Sequence, residues 1–311
     1  MTNPNGRSFL SYRRSRIHEA ELLISAQHDV GVPTWQDVRD LENAPLEDEL
    51  ERALRDANTA NAIVWVTPEI GTSDVVRRIE MPLILERVRS GDGFFVNPVA
   101  AGGLDYGAAA ALVGPSNILK SLERWNMSRV GSDPLSDLDA AVIAEAVLAH
   151  RLARVHAALR SDEPIRLRLF TRTQPAFDPA AALTIDWSQR FSGRTSLADS
   201  WNKYCLSALR TVAGCVRKYA PGREILAEGL ASLPAATALG VAFLAPGGLK
   251  AAWRQQLPGG GTEVWGIESP REASGFNTQI RGGTVSATDL AVLLSVNATV
   301  ESSVAATPCL D

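Results

Sequence analysis

Ala62 to Val66 read AIVWV, a run that is apolar on both faces. Such a run suits a strand buried on both sides, the kind found in the middle of a parallel sheet covered by helices. The residues around it keep that pattern, because short apolar strands alternate with amphipathic helices over the first ninety positions. Ser8 to Tyr12 reads as a strand. Ile17 to Val30 reads as a helix in which Ile17, Ala20, Leu23, Ile24 and Gln27 share a side, and Gly31, tolerant of left-handed backbone, ends it. Val32 to Trp35 is a second strand. Pro45 opens a helix with Leu46, Leu50, Leu54 and Ala57 inward and Glu47, Asp48, Glu51 and Arg52 on the wet side. Ser73 or Asp74 can cap a third helix carrying Val75, Val76, Ile79, Leu83 and Ile84.

Beyond Gly91 the pattern loosens. Phe94 to Val99 reads as a fourth strand, Ile118 to Trp125 as a helix, and Leu138 to Leu159 as a long helix with Val142, Ile143, Ala146 and Val147 on one side. Arg151, Arg154 and Arg160 gather near its end, where cations suit the dipole. Ser161 to Pro164 marks the domain boundary, dividing residues 1–160 from 164–311. IRLRLF then alternates apolar and basic residues as a half-buried strand does. Ala182 to Trp187, Glu224 to Ala227, Val264 to Ile267 and Leu290 to Val296 follow as strands. Leu197 to Tyr219 is a helix with Trp201, Cys205, Ala208 or Leu209, Val212 and Val216 on one stripe, and Pro234 to Phe243 is an apolar helix or a buried segment. A strand with so short a tail is an odd place for a domain to finish, so the second domain is expected to be incomplete.

At 311 residues, with 45% hydrophobic and 21% charged residues, the chain has enough apolar material for two cores. Disorder, collagen and coiled coils are excluded. No apolar run is long enough to cross a bilayer and the start lacks a secretory leader, so a cytoplasmic protein is expected, without membrane partners. Cys205, Cys215 and Cys309 are too scattered for a disulfide framework, and four histidines without an HxxxH pair argue against zinc. The net charge of −4 divides unevenly, −7 through Glu163 and +3 from Pro164 onward. The acidic half argues against a polymeric nucleic acid, and the basic half suits a small anionic ligand, although ordinary variation between domains explains the difference equally well.

Two acids stand where parallel sheets make their sites, beyond the carboxyl ends of strands: Asp37 after the second strand and Glu80 on the helix after the third. Pro82 removes a helical hydrogen bond and bends the axis, which can turn Glu80 toward a cleft. The ordinary alternative is a glutamate facing solvent. Glu86 and Glu69 are poor substitutes for Glu80.

FLSYRR (Phe9 to Arg14), TWQD (Thr34 to Asp37), AIVWVTP (Ala62 to Pro68) and SDVVRRIE (Ser73 to Glu80), in that order, resemble a bacterial TIR domain, an α/β fold with a flavodoxin-like parallel sheet. LTIDWSQRF (Leu183 to Phe191), SWNKYCLSALRTV (Ser200 to Val212), REILAEGLASLPAATALGVAF (Arg223 to Phe243) and DLAVLLSVN (Asp289 to Asn297) resemble a SAVED domain, built of CARF-like, Rossmann-like α/β halves that sense cyclic oligonucleotides in CBASS antiphage defence.

The joined resemblance implies an NAD+ nucleosidase with Glu80 as the catalytic carboxylate, activated by a cyclic trinucleotide that drives self-association, and with no cofactor besides NAD+ as substrate. Tyr12, Arg13, Arg14, Trp35 and Asp37 are the candidate contacts to NAD+. Trp35 suits the core as well, and Arg13 and Arg14 suit solvent. Arg194, Trp201, Lys203 and Arg223 are candidates for the cyclic nucleotide, chosen for charge and stacking, with Trp201 also a natural core residue. A TIR domain that recruits partners without catalysis is the other reading.

Overall fold

The computed structural model describes residues 1–35, 46–113, 127–192, 195–196, 198–244, 248–257 and 260–266. These build an α/β protein with two five-stranded sheets. The first holds β1 (Arg7–Ser11), β2 (Thr34–Trp35), β3 (Thr59–Val66), β4 (Phe95–Ala100) and β5 (Ser128–Arg129) in the order β2-β1-β3-β4-β5, with every pairing parallel. That is a doubly wound order whose direction reverses between β1 and β3. All eight residues of β3 are buried, as its two-faced apolarity requires.

Helix α1 (Ile17–Asp29) buries Ala20, Leu23, Ile24 and Gln27. Leu50 and Leu54 of α2 (Leu46–Arg55) point inward, but Ala57 lies beyond the helix end and is exposed. The segment after β3 differs from a plain helix. Val76–Glu80 forms a π-helical turn, with the Met81 N–H donating to the Val76 carbonyl, and α3 (Met81–Ser90) continues from it. Pro82 sits at the start of α3, where its missing donor is tolerated, so the irregularity lies just upstream of the proline. Two more helices follow, α4 (Tyr106–Val113) and α5 (Asp137–Ala158). The inward line of α5 runs through Ala140, Ile143, Ala144, Val147, Leu148, Leu152 and Val155. Val142, expected on that line, is 58% exposed because it lies about 100° round the helix from Ile143.

The second sheet contains β6 (Ile165–Phe170) and β7 (Leu183–Asp186); a small ribbon, β8 (Phe191–Ser192) with β9 (Thr195–Ser196), comes next. Then come β10 (Glu224–Leu230), β11 (Lys250–Gln256) and β12 (Thr262–Gly266), giving the order β12-β11-β10-β6-β7, parallel except for β12. The long helix expected over 197–219 is interrupted: Trp201–Leu206 is π-helical and leads into α6 (Ser207–Tyr219), which still buries Leu209, Val212 and Val216. α7 (Leu233–Ala242) follows β10. KAAWRQQ, which becomes β11, has no apolar alternation that announces a strand. The helix expected near Ile118–Trp125, the strand expected over Leu290–Val296, and Cys309 lie outside the described residues.

Helix α1 packs on α5 and on β7, so it belongs to both sheets. At its end the Gly31 carbonyl accepts the Thr184 N–H at 2.8 Å. Gly31 has φ +84°, and a Cβ there would stand 3.1 Å from Ile185 and Leu183, so glycine serves both the helix end and the close approach of β7. One hydrophobic core runs from Leu23, Ile143 and Leu152 on one side of Ser161–Pro164 to Leu167, Ile185 and Val216 on the other. A second core, with Phe9, Trp35, Leu50, Val64 and Ile84, covers the opposite face of the first sheet. Arg151, expected at the dipolar end of its helix, is instead 1% exposed and donates to the carbonyls of Ala182 (2.6 Å), Gly6 (2.5 Å) and Asn5 (2.6 Å).

Candidate functional site

In a doubly wound sheet the crevice forms beyond the carboxyl ends of the strands where the order reverses, here beyond β1 and β3. β1 ends at Ser11, and the π-helical turn after β3 ends at Glu80. The structure joins these two residues: Glu80 is 7% exposed, and Oε2 accepts the buried Ser11 hydroxyl. Glu80 is therefore not the solvent-facing helical glutamate of the ordinary alternative. A crevice of about 200 Å³ opens beside the same turn, lined by Glu47, Asp74, Val75, Arg78 and Ile79, with Glu80 outside it.

The upstream chain shows how Glu80 is delivered. After β3, Pro68–Thr72 makes a tight 3-10 turn, and the Ser73 N–H closes it on the Ile70 carbonyl at 2.9 Å. Ser73 then caps the next turn through Oγ, which accepts the Val76 N–H at 3.4 Å, confirming the expected cap. The sequence reading missed Arg16. It holds Glu69 through two donors (2.8 and 3.3 Å), Glu19 at 2.8 Å and Asp133 at 3.0 Å. The second oxygen of Glu19 accepts the buried Trp65 indole N–H at 2.9 Å. Beside Arg16, the Glu69 carboxyl is held down to about 2, and the carboxylates push the guanidinium further up.

The other first-half candidates are distributed unevenly. Tyr12 is buried next to Ser11, Arg13 is half-buried and Arg14 is exposed. Trp35 is 4% exposed and stacks on Phe9 with ring centroids 5.1 Å apart, so it serves the core. Of the alternative acids, Glu69 is engaged by Arg16, and Glu86 is exposed and paired with Arg55 at 3.0 Å. Asp37 lies outside the described residues.

The second sheet reverses its order between β6 and β10, and a second polar edge lies there. Thr171, fully buried just after β6, accepts the Ser232 N–H on Oγ1 at 2.8 Å. Ser232 is the N-cap residue of α7, is 5% exposed, and has an Oγ with no hydrogen-bond partner among the described residues. A helix start at a switch point, with an uncommitted hydroxyl, presents donors suited to a phosphate. Ser232 two residues ahead of Pro234, shortly after a strand, was the signal for it. Exposed Arg172 and the exposed apolar side chains of Leu230 and Leu233 flank this edge.

The three candidates for the cyclic nucleotide among the described residues, Trp201, Lys203 and Arg223, do not converge there. Trp201 makes edge contacts with Trp187 and Phe191, centroids 6.1 and 6.3 Å apart, and packs on the core. Lys203 pairs with Asp137, which also accepts the Tyr204 hydroxyl at 3.1 Å, and these residues rim a crevice of about 210 Å³ between α1, α5 and α6. Arg223, at the amino end of β10, donates to the carbonyls of His156 (3.2 Å), Leu159 (3.0 Å) and Arg160 and so closes the carboxyl end of α5. Arg194 lies outside the described residues. Burial pushes the Cys205 and Cys215 thiols up, to about 12 and about 11, which disfavours the thiolate at both. Among the described residues no group of His, Cys, Asp and Glu could hold a metal ion, and no helix is long and apolar enough to cross a membrane.

No protein-family model matches the chain, and no curated protein does. Among solved structures it is similar to the Cap4 SAVED/CARF-domain containing receptor of Moraxella osloensis, with 12% identity and a TM-score of 0.30 over 88% of this chain and 78% of that one. It is also similar to the Acinetobacter baumannii Cap4 SAVED/CARF-domain containing receptor with the cyclic trinucleotide 2'3'3'-cAAA, with 14% identity and a TM-score of 0.27 over 79% of this chain and 68% of that one.

Proposed function

We propose that this chain is an NAD+ nucleosidase switched on by a cyclic oligonucleotide in antiviral defence. One observation carries the proposal: a buried carboxylate, Glu80, is held by Ser11 at the switch point of a parallel sheet. Breaking the bond between ribose C1′ and the nicotinamide nitrogen sends the electron pair to the ring and leaves a positively charged sugar. Water adds to that sugar and loses a proton, giving nicotinamide and ADP-ribose. A fixed carboxylate stabilises the developing charge, as it does in glycoside hydrolysis. Ser11 keeps Glu80 aimed, and Tyr12, Arg13 and Arg14 stand on the same segment for the ribose and pyrophosphate.

Glu80 is too enclosed for a substrate to reach it without movement. The second sheet supplies the control in this reading. A cyclic trinucleotide binds at the Thr171–Ser232 edge, protomers assemble, and neighbouring first sheets complete each other's sites.

The test mixes full-length protein with NAD+ and a panel of cyclic di-, tri- and tetranucleotides that includes 2'3'3'-cAAA, and follows nicotinamide release and sedimentation. Glu80→Gln is expected to lower release about a hundredfold or more while assembly is retained. Ligand-driven assembly without release, unaffected by Glu80→Gln, identifies an adaptor instead.

A further inference from the structure

We infer that Arg16 is a positioning residue that holds the Glu80-bearing segment against β1; this rests on the proposed NAD+ cleavage. Its four hydrogen bonds reach three carboxylates, two of which, Glu69 and Asp133, are far away in sequence. Arg16 itself follows β1, Glu69 lies in the turn after β3, and Asp133 lies in the loop after β5. The loop after β4 is drawn to the same place, since a Cβ on Gly102 would stand 2.8 Å from Pro68. The segments after β1, β3 and β5 therefore meet at one guanidinium, with the loop after β4 packed beside them.

The clamp acts on both halves of the candidate site. Ser11 and Arg16 belong to one short segment, so the hydroxyl that orients Glu80 moves with the clamp. The 3-10 turn that holds Glu69 runs into Ser73, the cap, and then into the π-helical turn that ends at Glu80. A planar fork that grips Glu69 with two donors fixes direction as well as distance, which a point charge cannot do. Glu19, shared between Arg16 and Trp65, ties the assembly to buried β3. The arrangement keeps the distance between Ser11 and Glu80 from drifting, and small displacements of a reacting group have large kinetic effects.

The test compares full-length Arg16→Gln and Glu69→Gln with the parent, using the cyclic nucleotide that gives the highest nicotinamide release. Each variant is expected to lower kcat about tenfold to a hundredfold with KM for NAD+ little changed. The double variant is expected to fall no further than the weaker single, because both remove one interaction. Amide exchange in residues 73–81 is expected to quicken in both. Unchanged kcat in Arg16→Gln, or losses that multiply in the double variant, overturns the positioning role. A parent chain that releases no nicotinamide with any activator overturns the proposed reaction instead. In that case unchanged exchange over 73–81 in Arg16→Gln also overturns the clamp, and quickened exchange supports it.

Discussion

The guanidinium of Arg190 meets the carboxylate of Asp29 through two bonds, Nη2 to Oδ2 at 2.8 Å and Nε to Oδ1 at 3.1 Å. The residue that follows β7 by a few positions is thereby fastened to the last residue of α1, where the Trp187 indole N–H also reaches the Asp29 carbonyl at 3.2 Å. Burial pushes the Asp29 carboxyl up, and Arg190 opposes that push. Arg190→Met leaves the carboxylate buried without this partner, an expected loss of about 3–5 kcal/mol in denaturant unfolding. A raised folded value favours the folded state below the unfolded value and loses that advantage as pH rises through the folded one. The deficit of Arg190→Met is therefore expected to shrink as pH falls and Asp29 takes up a proton.

Glu69 has the opposite sign. Its folded value is lowered to about 2 by Arg16, from an ordinary value near 4.5. Its contribution is complete above the ordinary value and disappears as pH falls toward 2. Glu69→Gln is expected to flatten the acid limb of the stability curve between about pH 4.5 and 2, measured by thermal unfolding across that range, and to lower neutral stability by the same amount, a modest one because the pair is partly exposed.

Arg151 has three backbone carbonyls as partners. Burial pushes its guanidinium down to about 9, so the cation persists at neutral pH. Arg151→Met removes the donors and strands acceptors belonging to Asn5, Gly6 and Ala182. An unfolding loss of about 3 kcal/mol or more is expected, with earlier exchange of the amides around residue 6.

The Ser232 hydroxyl gives a test with two opposite readings. It is buried and has no hydrogen-bond partner among the described residues, so Ser232→Ala is expected to leave unfolding stability unchanged or slightly raised. If that oxygen serves a phosphate, the same variant weakens binding of the proposed activator, a cyclic trinucleotide, about tenfold, measured by calorimetry. Unchanged affinity removes Ser232 from the site.

The parallel first sheet was legible because AIVWV admits few other settings and the stripe of α1 is regular. The π-helical turn was legible only in part: Pro82 announced an irregularity, but its form depends on how Val76 and Glu80 pack. The contacts around Glu80 were not legible at all. Ser11 is 69 positions away from Glu80, and Arg16 finds partners 3, 53 and 117 positions away. Composition carries no information about such meetings. Charge also misled where it stood alone: Arg223, chosen as an anion ligand, is engaged by the last carbonyls of α5 because it happens to start the adjacent strand.

Because α1 gives its apolar side to α5 and β7 alike, the chain cannot be divided at Ser161–Pro164 into self-sufficient pieces. A fragment ending there would leave Ile24, Val147 and Leu152 wet, and its complement would bare Leu167, Ile185 and Val216. Any signal received by the later strands is consequently written in the same interior that supports the earlier ones, and a messenger between them has no linker to cross.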